Sequence, residues 1–225
     1  MKDLSVIIPA WNEGEIIYRN LKEAEEFLEN ENPELTYEII LVDDGSTDNT
    51  YTEAMKAAKE NRKIIVARKE GGGKGSALKF GFNLCSGKLV TFIDADLDIR
   101  PRQIPLFIDC MEKYNVDVVV GSKRHPLSRV NYPLYRRILS QVYQYIVRFL
   151  FHLNLRDTQA GLKLFRCEVL KEVLPTVLCK RYAFDLELLV NANHRGFKII
   201  EGPVDLNWQR FESRIKLRDI WRIAL

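Results

Sequence analysis

Glu38-Ile39-Ile40-Leu41-Val42-Asp43-Asp44-Gly45-Ser46, with Thr50-x-x-Glu53 shortly after it, decides how this chain folds. A short, β-branched apolar run of this kind reads as a buried strand. It breaks off into two carboxylates, a glycine and a serine, which is turn chemistry. The Thr50-x-x-Glu53 spacing reads as a capping box opening a helix over 50–60. Strand, polar loop and helix form one unit, and the same grammar recurs on both sides. Strands are predicted over 4–8, 38–42, 63–67, 88–93 and 116–120, and helices over about 14–30, 50–60, 75–85 and 101–114. Pro101 suits a first helical turn. The alternation predicts an α/β fold with a Rossmann-like, mostly parallel sheet flanked by helices. Its ligand belongs beyond the C-terminal ends of the strands.

The polar motifs fall at those ends. Strand one runs into Pro9-Ala10-Trp11-Asn12-Glu13, strand two into Asp43-Asp44-Gly45-Ser46, strand four into Asp94-Ala95-Asp96-Leu97-Asp98 and strand five into Gly121-Ser122-Lys123-Arg124. The second half departs from the alternation. It offers a long apolar helix over 134–153, a strand-like Lys163-Leu164-Phe165, a helix near 182–195, a strand near 197–206 and a basic helical end.

With 225 residues, 46% hydrophobic and 29% charged, the chain can bury a core as one domain over 1–225, and no linker or repeat divides it. The net charge of +3 hides an asymmetry. Between Asp117 and Asp157 there is no acidic residue, against Lys123, Arg124, Arg129, Arg136, Arg137, Arg148 and Arg156. Such a stretch points to an anionic partner: phosphate, lipid headgroup or nucleic acid. Cys85, Cys110, Cys167 and Cys179 lack zinc-site spacing and read as buried free thiols. The histidines, His125, His152 and His194, show no ligand spacing either. No signal peptide or membrane-spanning run is apparent, although a helical pattern still running at Leu225 leaves room for a membrane anchor beyond it.

Asp94-x-Asp96 carries the sharpest chemistry. At a turning strand end two such carboxylates can converge on one hard cation, Mg²⁺ or Mn²⁺, that bridges to phosphate oxygens. The same residues also suit a solvated acidic loop before the helix at Pro101. Asp43-Asp44 offers a carboxylate to a nucleobase N–H, or an Asx-turn with Gly45. Gly71-Gly72-Gly73-Lys74-Gly75 misses the P-loop pattern, because Gly75 replaces Ser/Thr after the lysine, and misses GxGxxG, because Ser76 stands at the third glycine. It still suits a flexible loop that brings Lys74 to a diphosphate at a helix start.

In order and spacing, Pro9-Ala10-Trp11-Asn12-Glu13, Asp43-Asp44-Gly45-Ser46, Gly73-Lys74-Gly75 and Asp94-Ala95-Asp96 resemble the family 2 glycosyltransferases of GT-A fold across residues 1–125. Arg156-Asp157-Thr158-Gln159-Ala160-Gly161-Leu162-Lys163-Leu164-Phe165 looks like the signature of dolichyl-phosphate glucose synthases. Gly121-Ser122-Lys123-Arg124-His125, Ala183-Phe184-Asp185-Leu186-Glu187-Leu188-Leu189 and Asn207-Trp208 are similar to further segments of that group. Dolichyl-phosphate mannose synthases share the first half.

The resemblance implies a nucleotide-sugar-binding half (1–125) and an acceptor-binding half (126–225). In the first, Asp43 contacts the base; Pro9, Trp11, Glu13 and Asp44 line the nucleotide pocket; Lys74 meets the diphosphate; and Asp94 and Asp96 hold metal and nucleotide, joined by Asp98 where the mannose synthases commonly carry glutamine. In the second, Lys123, Arg136 and Ser140 bind the acceptor phosphate, Asp157 and Gln159 lie beneath the sugar, and Arg210 and Arg214 close over the diphosphate. Lys123 replaces the family's arginine and so loses its bidentate fork.

The implied partners are UDP-glucose or GDP-mannose, a polyprenyl or dolichyl phosphate, and the cytoplasmic face of a membrane, with no nucleic acid. On residues alone, Ile138, Leu139, Val142, Tyr143, Ile146, Val147 and Leu150 make an apolar stripe flanked by Arg136, Arg137 and Arg148. That pattern fits an interfacial membrane helix and also a core-covering helix. Three other functions share parts of the pattern: a family 2 transferase acting on a sugar hydroxyl with Asp157 as base, a nucleotidyltransferase, and an inactive nucleotide-sugar- or RNA-binding module.

Overall fold

The computed structural model describes residues 2–30, 33–129, 147–181 and 183–206. Within them the strands are β1 (Lys2–Ala10), β2 (Tyr37–Asp43), β3 (Ile64–Arg68), β4 (Gly87–Phe92), β5 (Val118–Ser122), β6 (Lys163–Arg166) and β7 (Ile199–Pro203). The helices are α1 (Ile17–Asn30), α2 (Thr50–Glu60), α3 (Lys74–Phe82), α4 (Ile104–Tyr114), α5 (Cys167–Val173) and α6 (Phe184–His194).

The strands form one sheet in the order β3-β2-β1-β4-β6-β5-β7. β1, β2, β3 and β4 pair in parallel, as do β5 and β7, while β6 pairs antiparallel with both β4 and β5. Six strands therefore point one way and β6 alone is reversed. That reversal positions the site. The first residue of β6, Lys163, lies opposite Phe92 near the C-terminal end of β4 and opposite Val120 on β5. The loop before β6 arrives at the edge where the other strands end.

Both sheet faces are covered, which is why the strands read as continuous apolar runs. On one face Leu4, Val6, Ile8, Ile39, Leu41 and Leu164 pack under α1, α2 and α4. On the other, Ile7, Val90, Phe92, Val118 and Phe165 pack under α3, α5 and α6. Phe92 and Phe165, on neighbouring strands, place their ring centroids 5.1 Å apart. Burying one such side chain contributes about 1.5–3 kcal/mol, so the double cover is a main source of stability.

Several local expectations change. The Thr50 capping box does not form: Asn49 is the N-cap, with no side-chain cap bond. The Thr50 hydroxyl instead accepts the Glu13 N–H and donates to Asp48. α1 starts at Ile17, after a turn over 14–16, and the helix at Pro101 opens with a 3-10 turn over Pro101–Gln103. Helix α5 was not expected. The cysteines are free but partly exposed rather than buried. Of the helix expected over 134–153, only its last part is described. Residues 147–151 are helical, and the chain leaves the helix at His152, whose φ is 52°. There Val147 belongs to the core under β4 and β5, whereas Phe149 and Leu150 are exposed. The apolar stripe read from the sequence thus divides between core and surface where it is seen. Among the described residues no helix is long and apolar enough to cross a membrane.

Candidate active site

Loops following β1 and β2 are stitched into one rim. The Asn12 N–H donates to Ser46 Oγ (2.9 Å), and Asn12 Oδ1 accepts the Thr47 N–H (2.9 Å). The Gly14 N–H donates to Asp48 Oδ2 (3.0 Å). Pro9 lies within β1, the Glu13 side chain is buried, and Trp11 stands 61% exposed above the rim. A bare aromatic face beside a pocket wall is available for stacking.

Adjacent aspartates of the second strand end are used differently. Asp43 is fully enclosed. Its Oδ1 accepts the Ser46 N–H (3.0 Å), three residues on, while Oδ2 has no hydrogen-bond partner among the described residues and lies 3.3 Å from Arg68 Nε. Asp44 is saturated: Oδ1 accepts from Lys69 Nζ (2.7 Å) and Oδ2 from the Gly73 N–H (2.6 Å). It thereby pins the glycine-rich loop. At Gly73 the φ of 94° and the close approach of Arg181 and the Lys180 carbonyl leave no room for a Cβ.

Beyond β4 the acidic loop meets a chain of alternating charges. Lys74 Nζ, in the first turn of α3, lies 2.7 Å from Asp94 Oδ1 and 3.5 Å from Asp185 Oδ2. Asp185 Oδ1 lies 2.8 Å from Lys163 Nζ, which also donates to the Ala160 carbonyl (2.6 Å). Lys163 and Asp185 are 1% and 5% exposed, whereas Lys74 and Asp94 face partly outward. Burial opposes charge on all four. Even so, Lys163 and Lys74 hold the Asp185 carboxyl below the usual carboxylate range, and Lys74 does the same for Asp94. Burial disfavours the Lys74 ammonium, but Asp185 and Asp94 outweigh it and hold its pKa above the ordinary lysine value. Burial pushes the Lys163 ammonium below the ordinary lysine value, and Asp185 Oδ1, though close to it, makes no hydrogen bond among the described residues. Gly161 fits the carboxylate from the other side: a Cβ there would meet Asp94 Oδ2 at 2.3 Å.

Asp96 and Asp98 are both partly exposed, and Asp96 Oδ1 accepts the Asp98 N–H (3.2 Å). Leu97 between them takes a φ of 51°, the turn that brings Asp96 round. Among the described residues no three His, Cys, Asp or Glu side chains are gathered closely enough to hold an ion by themselves. Asp94, Asp96 and Asp98 are therefore not a preformed three-carboxylate nest. As donors, two hard carboxylates fit Mg²⁺ or Mn²⁺ when a bound diphosphate supplies further oxygens.

At the end of β5 the Lys123 N–H donates to Asp157 Oδ2 (3.1 Å), and Asp157 Oδ1 accepts the Gln159 N–H (2.9 Å). The buried Asp157 thus ties the strand end to the loop before β6, while the Gln159 side chain is exposed. Lys123, Asp157, Gln159 and Asp94 share one edge because β6 is reversed. Arg136, Ser140, Arg210 and Arg214 lie outside the described residues.

Residues 5–174, which carry most of this sheet and the carboxylates Asp43, Asp94 and Asp96 at its edge, match a known family model, Glycosyl transferase family 2. This chain belongs to glycosyl transferase family 2. Among curated members, the dolichyl-phosphate beta-glucosyltransferase of Dictyostelium discoideum is 32% identical over 241 residues, covering 98% of this chain and 73% of that protein. The human enzyme of the same name is 29% identical, covering 98% and 71%. Glycosyltransferase AglD of Haloferax volcanii is 30% identical, but the match covers 97% of this chain and only 35% of AglD. The chain therefore spans a minor part of AglD and the larger part of the glucosyltransferases.

Solved structures agree on the fold. Mannosyl-3-phosphoglycerate synthase from Rubrobacter xylanophilus aligns with a TM-score of 0.77 at 19% identity, covering 99% of this chain and 70% of that one. Glucosyl-3-phosphoglycerate synthase from Mycobacterium tuberculosis, in complex with Mn²⁺, UDP and glucosyl-3-phosphoglycerate, aligns at 0.74 and 21%, covering 99% and 76%. The GT-A fold expected from the sequence is the one observed, and the family makes the chain a glycosyltransferase. The sequence motifs by themselves assign no role to Lys163, Asp185 or Gly161. The readable signal was a lysine opening an apolar strand and an aspartate in the first turn of an apolar helix.

Proposed function

We propose that this glycosyltransferase moves a hexose from a nucleotide-sugar, UDP-glucose before GDP-mannose, to the phosphate of a dolichyl-type polyprenyl lipid at the cytoplasmic face of a membrane. One observation carries the proposal: Asp43, Asp94, Asp96 and Lys74 are brought to a single sheet edge from three separate β-α units. The likeness to dolichyl-phosphate glucosyltransferases along nearly the whole chain supports the acceptor and the glucose donor. The exposed Phe149 and Leu150 suit a lipid-facing surface.

In this reading Asp43 accepts from the N–H edge of the base after Arg68 swings aside. Pro9, Trp11 and Glu13 wall the nucleotide, and Asp44 holds the loop that presents Lys74 to the diphosphate. Asp94 and Asp96, joined by Asp98, would hold Mg²⁺ or Mn²⁺. When bound, the cation neutralises charge on the leaving diphosphate. Lys123, with Arg136 and Ser140, receives the acceptor phosphate; Arg210 and Arg214 close over the donor.

An acceptor phosphate oxygen attacks the anomeric carbon, the new C–O bond forms, and the bond to the nucleoside diphosphate breaks with its electron pair on the departing oxygen. The configuration inverts. Phosphate is largely ionised near pH 7 (second pKa about 6), so no strong base is required. Both Asp157 oxygens already accept backbone N–H groups, which favours a role in holding the sugar-side loop over the base that a hydroxyl acceptor needs.

The test is transfer of label from UDP-glucose and GDP-mannose, with Mn²⁺ or Mg²⁺, to a short polyprenyl phosphate. Label in the organic phase from UDP-glucose is the expected result. Label appearing only in water-soluble saccharide would replace this reading with a hydroxyl acceptor.

A further inference from the structure

Lys74 occupies an unusual position for a residue expected to meet a diphosphate. Its ammonium already sits 2.7 Å from Asp94 Oδ1, one of the two carboxylates that suit the cation. A dication that takes that oxygen competes with the ammonium for it, because like charges at contact distance repel strongly in a partly buried site. For a lysine displaced in this way the structure holds a second acceptor. Asp185 Oδ2 is 3.5 Å from Lys74 Nζ, just beyond hydrogen-bond length. The other Asp185 oxygen lies 2.8 Å from Lys163 Nζ, an ion contact without hydrogen-bond alignment, and Lys163 is held in turn by the Ala160 carbonyl. This buried charge contact keeps Asp185 in place, with its remaining oxygen toward Lys74. The four groups together are neutral, two aspartates against two lysines.

Resting on the cation site proposed above, we propose that Lys74 is the resident counter-ion of that site and that Asp185, positioned by Lys163, takes up its ammonium when Mg²⁺ or Mn²⁺ claims Asp94. The exchange needs only a small swing of a flexible four-carbon stem. It shields Asp94 when the site is empty. It also keeps a positive charge beside the diphosphate once the cation is in place, instead of releasing it to solvent. Asp185 and Lys163 touch neither donor nor cation and act through Lys74 alone.

The test is direct Mn²⁺ binding, read from the electron paramagnetic resonance of free Mn²⁺ with and without UDP. Lys74→Met removes the competitor, so the nucleotide-free protein should bind Mn²⁺ about tenfold more tightly, within the range typical of outer-shell changes. Asp185→Asn leaves Lys74 with Asp94 alone and should weaken Mn²⁺ binding by about tenfold, with Asp185→Glu restoring part of it. Because Asp185→Asn strands a buried lysine, the paired change Lys163→Met with Asp185→Leu, which exchanges the ion pair for apolar side chains, should fold and show the same weakening. Unchanged or weaker Mn²⁺ binding in Lys74→Met, with the wild type binding Mn²⁺ in the presence of UDP, overturns the exchange and leaves the cation site standing. A wild type that binds no Mn²⁺ under either condition overturns both.

Discussion

Lys69 and Lys74 flank the same glycine-rich loop, and each reaches an aspartate beyond a strand end, yet the two ion pairs are built for different purposes. Lys69 spends its donors on three acceptors: Asp44 Oδ1 (2.7 Å), the Glu70 carbonyl (2.7 Å) and the Gly71 carbonyl (2.9 Å). Asp44 uses its second oxygen on the Gly73 N–H. That arrangement is closed, since an ammonium has only three donors. Lys74 is shared unequally between Asp94 and Asp185, and its pair is open to solvent on one side. A saturated pair fixes backbone, whereas an unsaturated one can change partners. The loop is thus anchored at one end, and the lysine at the other starts from a defined place.

The contrast breaks most visibly at Asp94. Asp94→Ala should lower kcat/KM at least a thousandfold in the transfer assay, several kcal/mol of lost charge stabilisation, with little change in melting temperature. A variant that unfolds instead would put Asp94 in the same structural class as Asp44. Gly161→Ala comes next. The added methyl would push Asp94 Oδ2 aside, and misplacing a reacting group by about 1 Å costs roughly a hundredfold in rate. Turnover should fall by about that factor in a folded protein, and a smaller loss would mean that Asp94 is free to adjust.

Lys69→Met tests the saturated side. It leaves an Asp44 oxygen and two carbonyls without their donor, so urea unfolding should report a loss of about 1–3 kcal/mol. The donor KM should rise while kcat changes less than tenfold. A kcat collapse would make Lys69 part of the chemistry. The smallest effect concerns Asp3, at the opposite end of β1, which serves as a purely structural reference. Hydrogen bonds from Thr36 and then Lys88 hold its carboxyl down at about 2. A depressed folded pKa contributes stability above the unfolded value of about 3.9, and that contribution is lost as pH falls toward about 2. The stability gap between wild type and Asp3→Asn should therefore narrow on acidification between about pH 5 and pH 2.5 while the fold is retained. A gap independent of pH would mean that the charge of Asp3 plays no part.

Legibility differed between the two halves for physical reasons. β1 to β5 could be read because each is an apolar run ending in turn chemistry, and burial on both faces makes such runs continuous. α5 escaped because its Cys167–Val173 span is short and has no side-chain cap bond, although the stretch between the expected strand at 163–165 and the expected helix near 182 was long enough to call for an element. The capping box at Thr50 failed because a tertiary partner, the Glu13 N–H, outcompeted the local one for the same hydroxyl. Of the carboxylate pairs, Asp43-Asp44 was visible as a motif. That Asp44 would be consumed by Lys69 and Gly73, leaving Asp43 with the one oxygen lacking a hydrogen bond, was not visible.

By itself the sequence determined the strand-helix alternation, the sheet edge where the polar motifs gather, and the residues Asp43, Lys74, Asp94 and Asp96 that reach it. These follow from local hydrophobic patterning and from the rule that parallel strands end together. Only the tertiary structure decided that β6 runs backwards between β4 and β5 and so delivers Lys163 and Gly161 to Asp94, while α6 brings Asp185 to the same place. A four-residue strand carries no mark of its direction. Its orientation is set by which edges of β4 and β5 are left to pair and by how Phe165 packs on Phe92 beneath them.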